Sequence, residues 1–147
     1  MKALIQRVNF SKLAIDGKTH SQIDKGLLVL LGVEKEDAQK DIDYIVKKIT
    51  NLRIFEDENG KMNLSVKDIS GEIMLVSQFT LCADCSGGNR PSFINAELPN
   101  VAKDIYEKVV NKIEEQGISV KTGVFGADMK INLENDGPVT IILESKR

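Results

Sequence analysis

An uninterrupted apolar run bounded by glycines constrains the fold of this chain most. Residues 26–33 read Gly-Leu-Leu-Val-Leu-Leu-Gly-Val, without the polar alternation of a half-exposed strand. The run therefore predicts a central strand covered on both faces. Residues 73–81 predict a second strongly apolar strand, whose end turns polar. With 147 residues, of which 41% are hydrophobic, the chain has the size of one domain with a real core, and we expect a single domain over residues 1–147.

Apolar residues at helical spacing predict two amphipathic helices. The first follows Asp37 as N-cap and places Asp41 on its polar side, and the second starts near Asn100 and stops at Gly117. The first stripe is Ile42, Ile45, Val46, Ile49 and Leu52, and the second is Ala102, Ile105, Tyr106, Val109, Val110 and Ile113.

Short strands are predicted on either side of these helices. Residues 3–8 and 13–16 predict an antiparallel hairpin around residues 9–12, and Asn59-Gly60 is a strong turn signal. Closing strands are expected at residues 118–121, 130–133 and 139–143. Because no repeat is present, the pattern indicates one mixed α/β domain.

Composition excludes several classes of protein. No apolar run approaches the roughly 18 residues of a membrane span, and the first residues lack a signal-peptide pattern, so we expect a cytoplasmic protein with no membrane partner. The net charge of −2, with acids and bases interleaved, limits any nucleic-acid contact to a small local one. Cys82 and Cys85 have C-x-x-C spacing, but one His and two Cys cannot complete a four-ligand zinc site, and a loop follows Cys85. Two incidental thiols are the better interpretation.

Candidate chemistry lies where polar residues follow apolar strands. Ser77 and Thr80 stand at a strand end, where a hydroxyl could act as nucleophile, donate to an oxyanion, or simply cap the backbone. The single imidazole, His20, lies in a polar stretch, and no G-x-S-x-G elbow is present, which disfavours a serine-hydrolase triad. Arg7 and Arg90 could contact a phosphate or carboxylate, or be solvated surface charges.

Two further segments leave more than one interpretation open. Phe125 and Met129, four residues apart, could form an apolar slot for a base or belong to the core. Gly137-Pro138 lies between two strand-like segments. Gly has no Cβ and Pro no N–H, so this turn can present carbonyl oxygens to a pocket without bulk, in the cis or trans isomer.

Together these motifs resemble the D-aminoacyl-tRNA deacylases of the bacterial and eukaryotic type. Residues 77–81 match the family motif Ser-Gln-Phe-Thr-Leu, and residues 135–140 match Asn-x-Gly-Pro-Val-Thr. The resemblance extends over nearly the whole chain through residues 26–33, 51–55, 61–63, 90–93 and 122–129. The chain departs from the common pattern in the loop of residues 82–89, which carries both cysteines and a Gly-Gly pair.

The resemblance implies a fold and a reaction. The fold would be a barrel-like mixed sheet with two main amphipathic helices packed outside. The reaction would be hydrolysis of the ester between a D-amino acid, or misplaced glycine, and the 3′-terminal adenosine of tRNA, without cofactor or metal. A homodimer would carry the active sites at its interface, each receiving the cis Gly137-Pro138 peptide of the other chain as a chiral filter. Its partner would be the aminoacyl-tRNA 3′ end, with no DNA expected.

The resemblance also implies roles for individual residues. The catalytic segment would be Ser77, Gln78, Phe79 and Thr80, whose backbone supplies hydrogen-bond donors near the ester, with Thr80 in a scaffold role. Arg7 would brace the Gly-Pro turn. The residues that hold the terminal adenosine and the 3′ end would be Arg90, Pro91, Phe125 and Met129.

Two other functions are weighed against this one. A general esterase would use Thr80 or Ser77 as a nucleophile and be trapped covalently by acylating reagents. A dimeric nucleic-acid-binding module would stack bases on Phe125, Met129 and the Arg90 loop, and would bind tRNA with or without an amino acid, with a substantial salt dependence. The net charge of −2 weighs against the binding module.

Overall fold

The described part of the chain contains eight β-strands, two α-helices and one 3-10 turn. A computed structural model describes residues 1–146 of the chain. The elements in chain order are β1 (Lys2–Ile15), β2 (Lys18–Ile23), β3 (Gly26–Gly32), α1 (Gln39–Asn51), β4 (Phe55–Glu56), β5 (Met62–Leu64), β6 (Glu72–Ser77), a 3-10 turn (Phe79–Cys82), α2 (Pro99–Glu114), β7 (Val120–Thr122) and β8 (Lys130–Glu144).

Most strands join one mixed sheet. Its order is β2-β1-β3-β6-β7, and β8 pairs antiparallel with β1 along nearly the whole of both strands. β3 pairs with β6 in parallel, as β6 does with β7. The Ser21 hydroxyl on β2 donates to the carbonyl of Thr122 on β7 at 2.9 Å, which links the two ends of this strand order. The sheet is therefore nearly closed and barrel-like, as expected.

The core has two parts, one on each side of the sheet. The larger packs the apolar stripes of α1 and α2 against β1, β3 and β6, so both helices lie outside the sheet as predicted. The smaller lies on the opposite side and includes Val8, Leu13, Ile23, Leu28, Met74 and Val76. β3 contributes to both parts, which confirms that the glycine-bounded run is central and covered on both faces.

Three predictions about strand boundaries were wrong. β1 does not turn at residues 9–12: it continues to Ile15, and the hairpin turn lies at Asp16-Gly17, where both residues have positive φ. Ser11 and Leu13 are fully buried, and β8 pairs with both halves of β1, which holds the strand extended through the polar stretch. The strand expected to reach Leu81 ends at Ser77, and the last two predicted strands are one, β8.

The start of α1 also differs from the prediction. Asp37 does not cap the helix, since Ala38 is the N-cap and its N–H donates to the Asp41 carboxylate at 2.9 Å. Asp37 instead forms an ion pair with the amino group of Met1 at 2.8 Å. Asp41, predicted on the polar side, is buried.

A hydrogen-bond network explains how a carboxylate is tolerated at Asp41. Burial opposes ionisation of this group, but hydrogen bonds from the Ala38 N–H and the Ser145 hydroxyl, with the nearby Met1 ammonium and Lys146, bring its pKa below the ordinary value. This network joins α1 to both ends of the described chain.

Neither α1 nor α2 is long and apolar enough to cross a membrane, and the described residues contain no other α-helix.

Candidate active site

A cavity of about 630 Å³ opens where β6 ends. Ser77, Gln78 and Phe79 form one side of it, directly after the buried residues of the strand. The Gln78 N–H donates to the Leu31 carbonyl at 2.8 Å, and the chain then leaves the sheet in the 3-10 turn. The end of a parallel strand thus places backbone and polar side chains at an open pocket, a common position for an active site.

Thr80 lies beside the cavity rather than in its wall. It is exposed, and its Oγ1 accepts a hydrogen bond from Gln78 Nε2 at 2.5 Å. It is absent from the lining residues, whereas Ser77, Gln78 and Phe79 are present. This contact ties the Thr80 hydroxyl to residues 77–79, which we call the strand-end segment.

Two aromatic rings stand in the cavity wall near its mouth. Phe79 and Phe93 pack edge to face, with ring centroids 5.0 Å apart, and both rings remain partly exposed. The pair joins the strand-end segment to the loop that precedes α2. The opening is therefore lined by apolar aromatic surface.

The turn between β7 and β8 forms the opposite side. Phe125 and Met129 both line the cavity, and both are also packed against the core, Phe125 against the larger part and Met129 against the smaller. The ring of Tyr106 packs 6.3 Å from that of Phe125, and its hydroxyl donates to the Leu75 carbonyl at 2.6 Å. Burial raises the pKa of Tyr106, so this hydroxyl stays protonated as a donor. Tyr106 thereby connects α2, β6 and the cavity wall.

Gly123 allows Met129 to take this position. A Cβ built on Gly123 would collide with Met129 Sδ and approach Leu13 Cδ1 to 3.0 Å. Any larger residue at Gly123 would therefore force the Met129 side chain to shift.

The predicted residues Arg90 and Pro91 lie elsewhere. Both are exposed in the loop that follows the 3-10 turn, and neither lines the cavity. The loop is closed by backbone hydrogen bonds between Asp84 and Ser92, of 2.8 and 2.9 Å. The structure thus brings together the strand-end segment, Phe125 and Met129, but not Arg90 and Pro91.

The Gly137-Pro138 turn is also separate from the cavity of its own chain. Both residues are exposed on β8, joined by a cis peptide bond, and neither lines the cavity. Arg7 is buried beneath the turn. Its Nη1 donates to the Ile54 carbonyl at 2.7 Å, and its Nε donates to the Asp136 carbonyl at 3.0 Å and lies 3.1 Å from the Asp136 carboxylate.

Sequence reasoning missed the charged part of the cavity. Glu97 and Asp128 line it, whereas Lys and Arg are absent from its lining residues in the described chain. Glu97 accepts a hydrogen bond from the Leu98 N–H at 2.8 Å where α2 begins. The available signal was an acid two residues before Pro99, because proline suits the first turn of a helix and an acid is favourable near its N-terminus. Within residues 1–146, no group of three or more His, Cys, Asp and Glu side chains is placed to hold a metal ion.

The fold and the cavity define a small, single-domain mixed α/β protein with a candidate active site at a strand end. The family model described as D-Tyr-tRNA(Tyr) deacylase matches residues 4–144. The chain belongs to the D-aminoacyl-tRNA deacylase family.

Individual relatives agree with this assignment. A D-aminoacyl-tRNA deacylase of Clostridioides difficile is 55% identical over 147 residues, covering 100% of this chain and 99% of its own length. One from Persephonella marina is 58% identical over 146 residues, covering 99% of each chain. A solved structure described as a c-Myc DNA unwinding element binding protein has a TM-score of 0.91, with 43% identity and 98% of each chain covered. A probable eukaryotic D-amino acid tRNA deacylase, at 15% identity over 97% of each chain and a TM-score of 0.80, shares the fold.

Proposed function

We propose that this protein hydrolyses the ester between a D-amino acid, or a misplaced glycine, and the 3′-terminal adenosine of tRNA, and spares L-aminoacyl-tRNA. The match to the deacylase family over residues 4–144 carries the proposal. The activity belongs in the cytoplasm, where aminoacyl-tRNA is made and used.

The cavity suits this substrate in size and charge. About 630 Å³ is in the range of pockets that hold small ligands. Phe79, Phe93, Phe125 and Met129 offer apolar surface for a nucleobase, and the charged residues of the lining are acids. An adenosine ester whose amino acid carries an ammonium group fits such a lining better than a phosphate-rich ligand does.

The chemistry requires little beyond positioning. An aminoacyl ester is already activated, so hydrolysis needs mainly an oriented water and donors for the developing oxyanion. Backbone groups of residues 78–80 supply these donors in our proposal. The ribose 2′-hydroxyl of the substrate would assist the attacking water. Thr80 keeps a scaffold role, which is supported by its hydrogen bond with Gln78.

Selectivity would come from a second copy of the chain. Gly137 and Pro138 are exposed and do not line the cavity of their own chain. A homodimer that inserts this turn into the partner's cavity would therefore complete the site. A rigid backbone wall on one side of the substrate Cα excludes an L side chain. A D side chain points away, and glycine has nothing to exclude.

The direct test uses tRNA charged with D-tyrosine, L-tyrosine or glycine. We expect rapid loss of the D-tyrosyl and glycyl esters, with the L-tyrosyl ester spared. Equal attack on the L-ester would indicate a general esterase, and absence of hydrolysis of all three would refute the proposal. Analytical ultracentrifugation of the same sample would test the homodimer.

DNA binding is a second candidate because the relative with 43% identity is described as a c-Myc DNA unwinding element binding protein. The net charge of −2 and the acidic residues of the cavity oppose it. Fluorescence anisotropy with labelled single-stranded and duplex DNA at two salt concentrations separates the candidates. Tight, salt-dependent binding would favour the DNA-binding function, and we expect none.

A further inference from the structure

The pairing between β1 and β8 is interrupted at the Gly-Pro turn. Val8 pairs with Asn135 and Gln6 with Thr140, so Arg7 alone faces the bulge formed by residues 136–139. A bulge of this size removes ladder hydrogen bonds from both strands, and Pro138 has no N–H to replace one. Backbone carbonyls beside the turn therefore need other donors.

The side chain of Asn135 supplies those donors. Its Nδ2 donates to the Arg7 carbonyl at 3.1 Å and to the Val139 carbonyl at 3.0 Å. Val139 is buried in the main core, which fixes the far end of the bulge. One amide group thus ties the start of the bulge, its end and the facing strand together.

The oxygen of the same amide, Asn135 Oδ1, lies directly against the turn. A Cβ built on Gly137 would come 2.6 Å from Asn135 Oδ1, so the Gly137 backbone rests close upon this side chain. Arg7 holds the preceding residue separately, through the Asp136 carbonyl at 3.0 Å. Two side chains therefore hold the turn. Arg7 donates to the Asp136 carbonyl, and Asn135 spans Gly137 and Pro138 by donating to the Val139 carbonyl.

We infer that Asn135 is a positioning residue for stereochemical selectivity, because it holds the Gly137 and Pro138 carbonyls in one place. This rests on the proposed function of the turn as a filter. An L side chain, even one as small as a methyl group, would push against this backbone wall. The wall rejects it only if the Gly137 and Pro138 backbone does not move aside by about the width of a methyl group. Loss of the two amide hydrogen bonds would let residues 136–139 relax, so the L-ester would gain access while the D-ester, which does not press on the wall, would lose little.

The experiment compares Asn135→Ala and Asn135→Asp with the wild type. Asp has nearly the shape of Asn but cannot donate when ionised, so it removes both hydrogen bonds and keeps the contact with Gly137. The matched control is Asn132→Ala, at an exposed asparagine of the same strand. The readout is the ratio of the single-turnover rates on D-tyrosyl-tRNA and L-tyrosyl-tRNA, which does not depend on the concentration of folded enzyme.

We expect this ratio to fall about tenfold or more in both Asn135 variants, as the loss of two hydrogen bonds would allow, and to stay unchanged in Asn132→Ala. An unchanged ratio in both Asn135 variants would overturn the inference. Failure of both to fold at 25 °C would also overturn it, because Asn135 would then serve stability of the sheet. A wild-type protein that cleaves the L-ester as fast as the D-ester would instead refute the proposed filter itself.

Discussion

Substitution of Gly137 by alanine tests the packing of the turn most directly. The added Cβ would lie 2.6 Å from Asn135 Oδ1, and an ordinary contact needs at least 3.4 Å. The Asn135 side chain must therefore retreat by about 0.8 Å, which it cannot do while its Nδ2 donates to the Arg7 and Val139 carbonyls.

The expected cost follows from those two hydrogen bonds. At roughly 1 kcal/mol each, their loss lowers the free energy of unfolding by about 2 kcal/mol, or about 6 °C in the thermal midpoint of a chain of this size. Urea unfolding monitored by circular dichroism measures the change. Gly87→Ala is the matched control, since a Cβ on Gly87 meets nothing within 4 Å, and it should stay within about 0.5 kcal/mol of the wild type.

A double-mutant cycle isolates the contact itself. In the Asn135→Ala background the obstructing oxygen is gone, so Gly137→Ala should cost at least about 1 kcal/mol less than in the wild type. Additive costs, or a Gly137→Ala protein as stable as the wild type, would refute the packing that we derive. Because Gly137 is in the proposed filter, we also expect its alanine variant to lose deacylation of D-tyrosyl-tRNA.

Three further outcomes are expected. Thr80→Ala should keep deacylation within about tenfold of the wild type, because its hydroxyl is engaged by Gln78 beside the cavity; a folded but inactive variant would contradict the scaffold role. The pKa of Asp41 in the folded protein lies below its usual 3.8, so the ionised carboxylate stabilises the fold above about pH 4. This stabilisation is lost as the pH falls through the folded-state pKa. The midpoint of urea unfolding, measured from pH 5 to pH 3, should therefore fall less in Asp41→Asn than in the wild type. In native protein iodoacetamide should alkylate exposed Cys85 and spare Cys82, where burial raises the thiol pKa; mass spectrometry showing equal labelling would contradict this.

Much of the fold followed from apolar patterning. The glycine-bounded run became β3, and the two amphipathic stripes became α1 and α2 with their apolar faces buried. Each of these elements buries a whole row of apolar side chains. The apolar pattern in the sequence therefore marks the same residues that pack in the core. Agreement failed where polar residues were buried, at Ser11 and Asp41, because their partners Met74 and Ser145 are distant in sequence.

The candidate site was predicted in part. Ser77, Phe79, Phe125 and Met129 were singled out from the sequence, and the structure places them around one cavity. Glu97 was missed, because its place in the lining depends on how the loop before α2 folds back over the strand end. Arg90 was expected at the same site, yet lies outside the cavity lining.

The class of fold, the family and the motif that carries the turn can all be recognised in the amino-acid sequence, because each depends on residue types that are adjacent or regularly spaced. The contacts that hold the turn, in contrast, are visible only in the folded protein. Arg7 and Asn135 are 128 residues apart, and their contact exists because β8 pairs with β1 around a bulge. Hydrogen bonds of 3 Å depend on the register of two strands, and that register is set by the packing of the whole sheet.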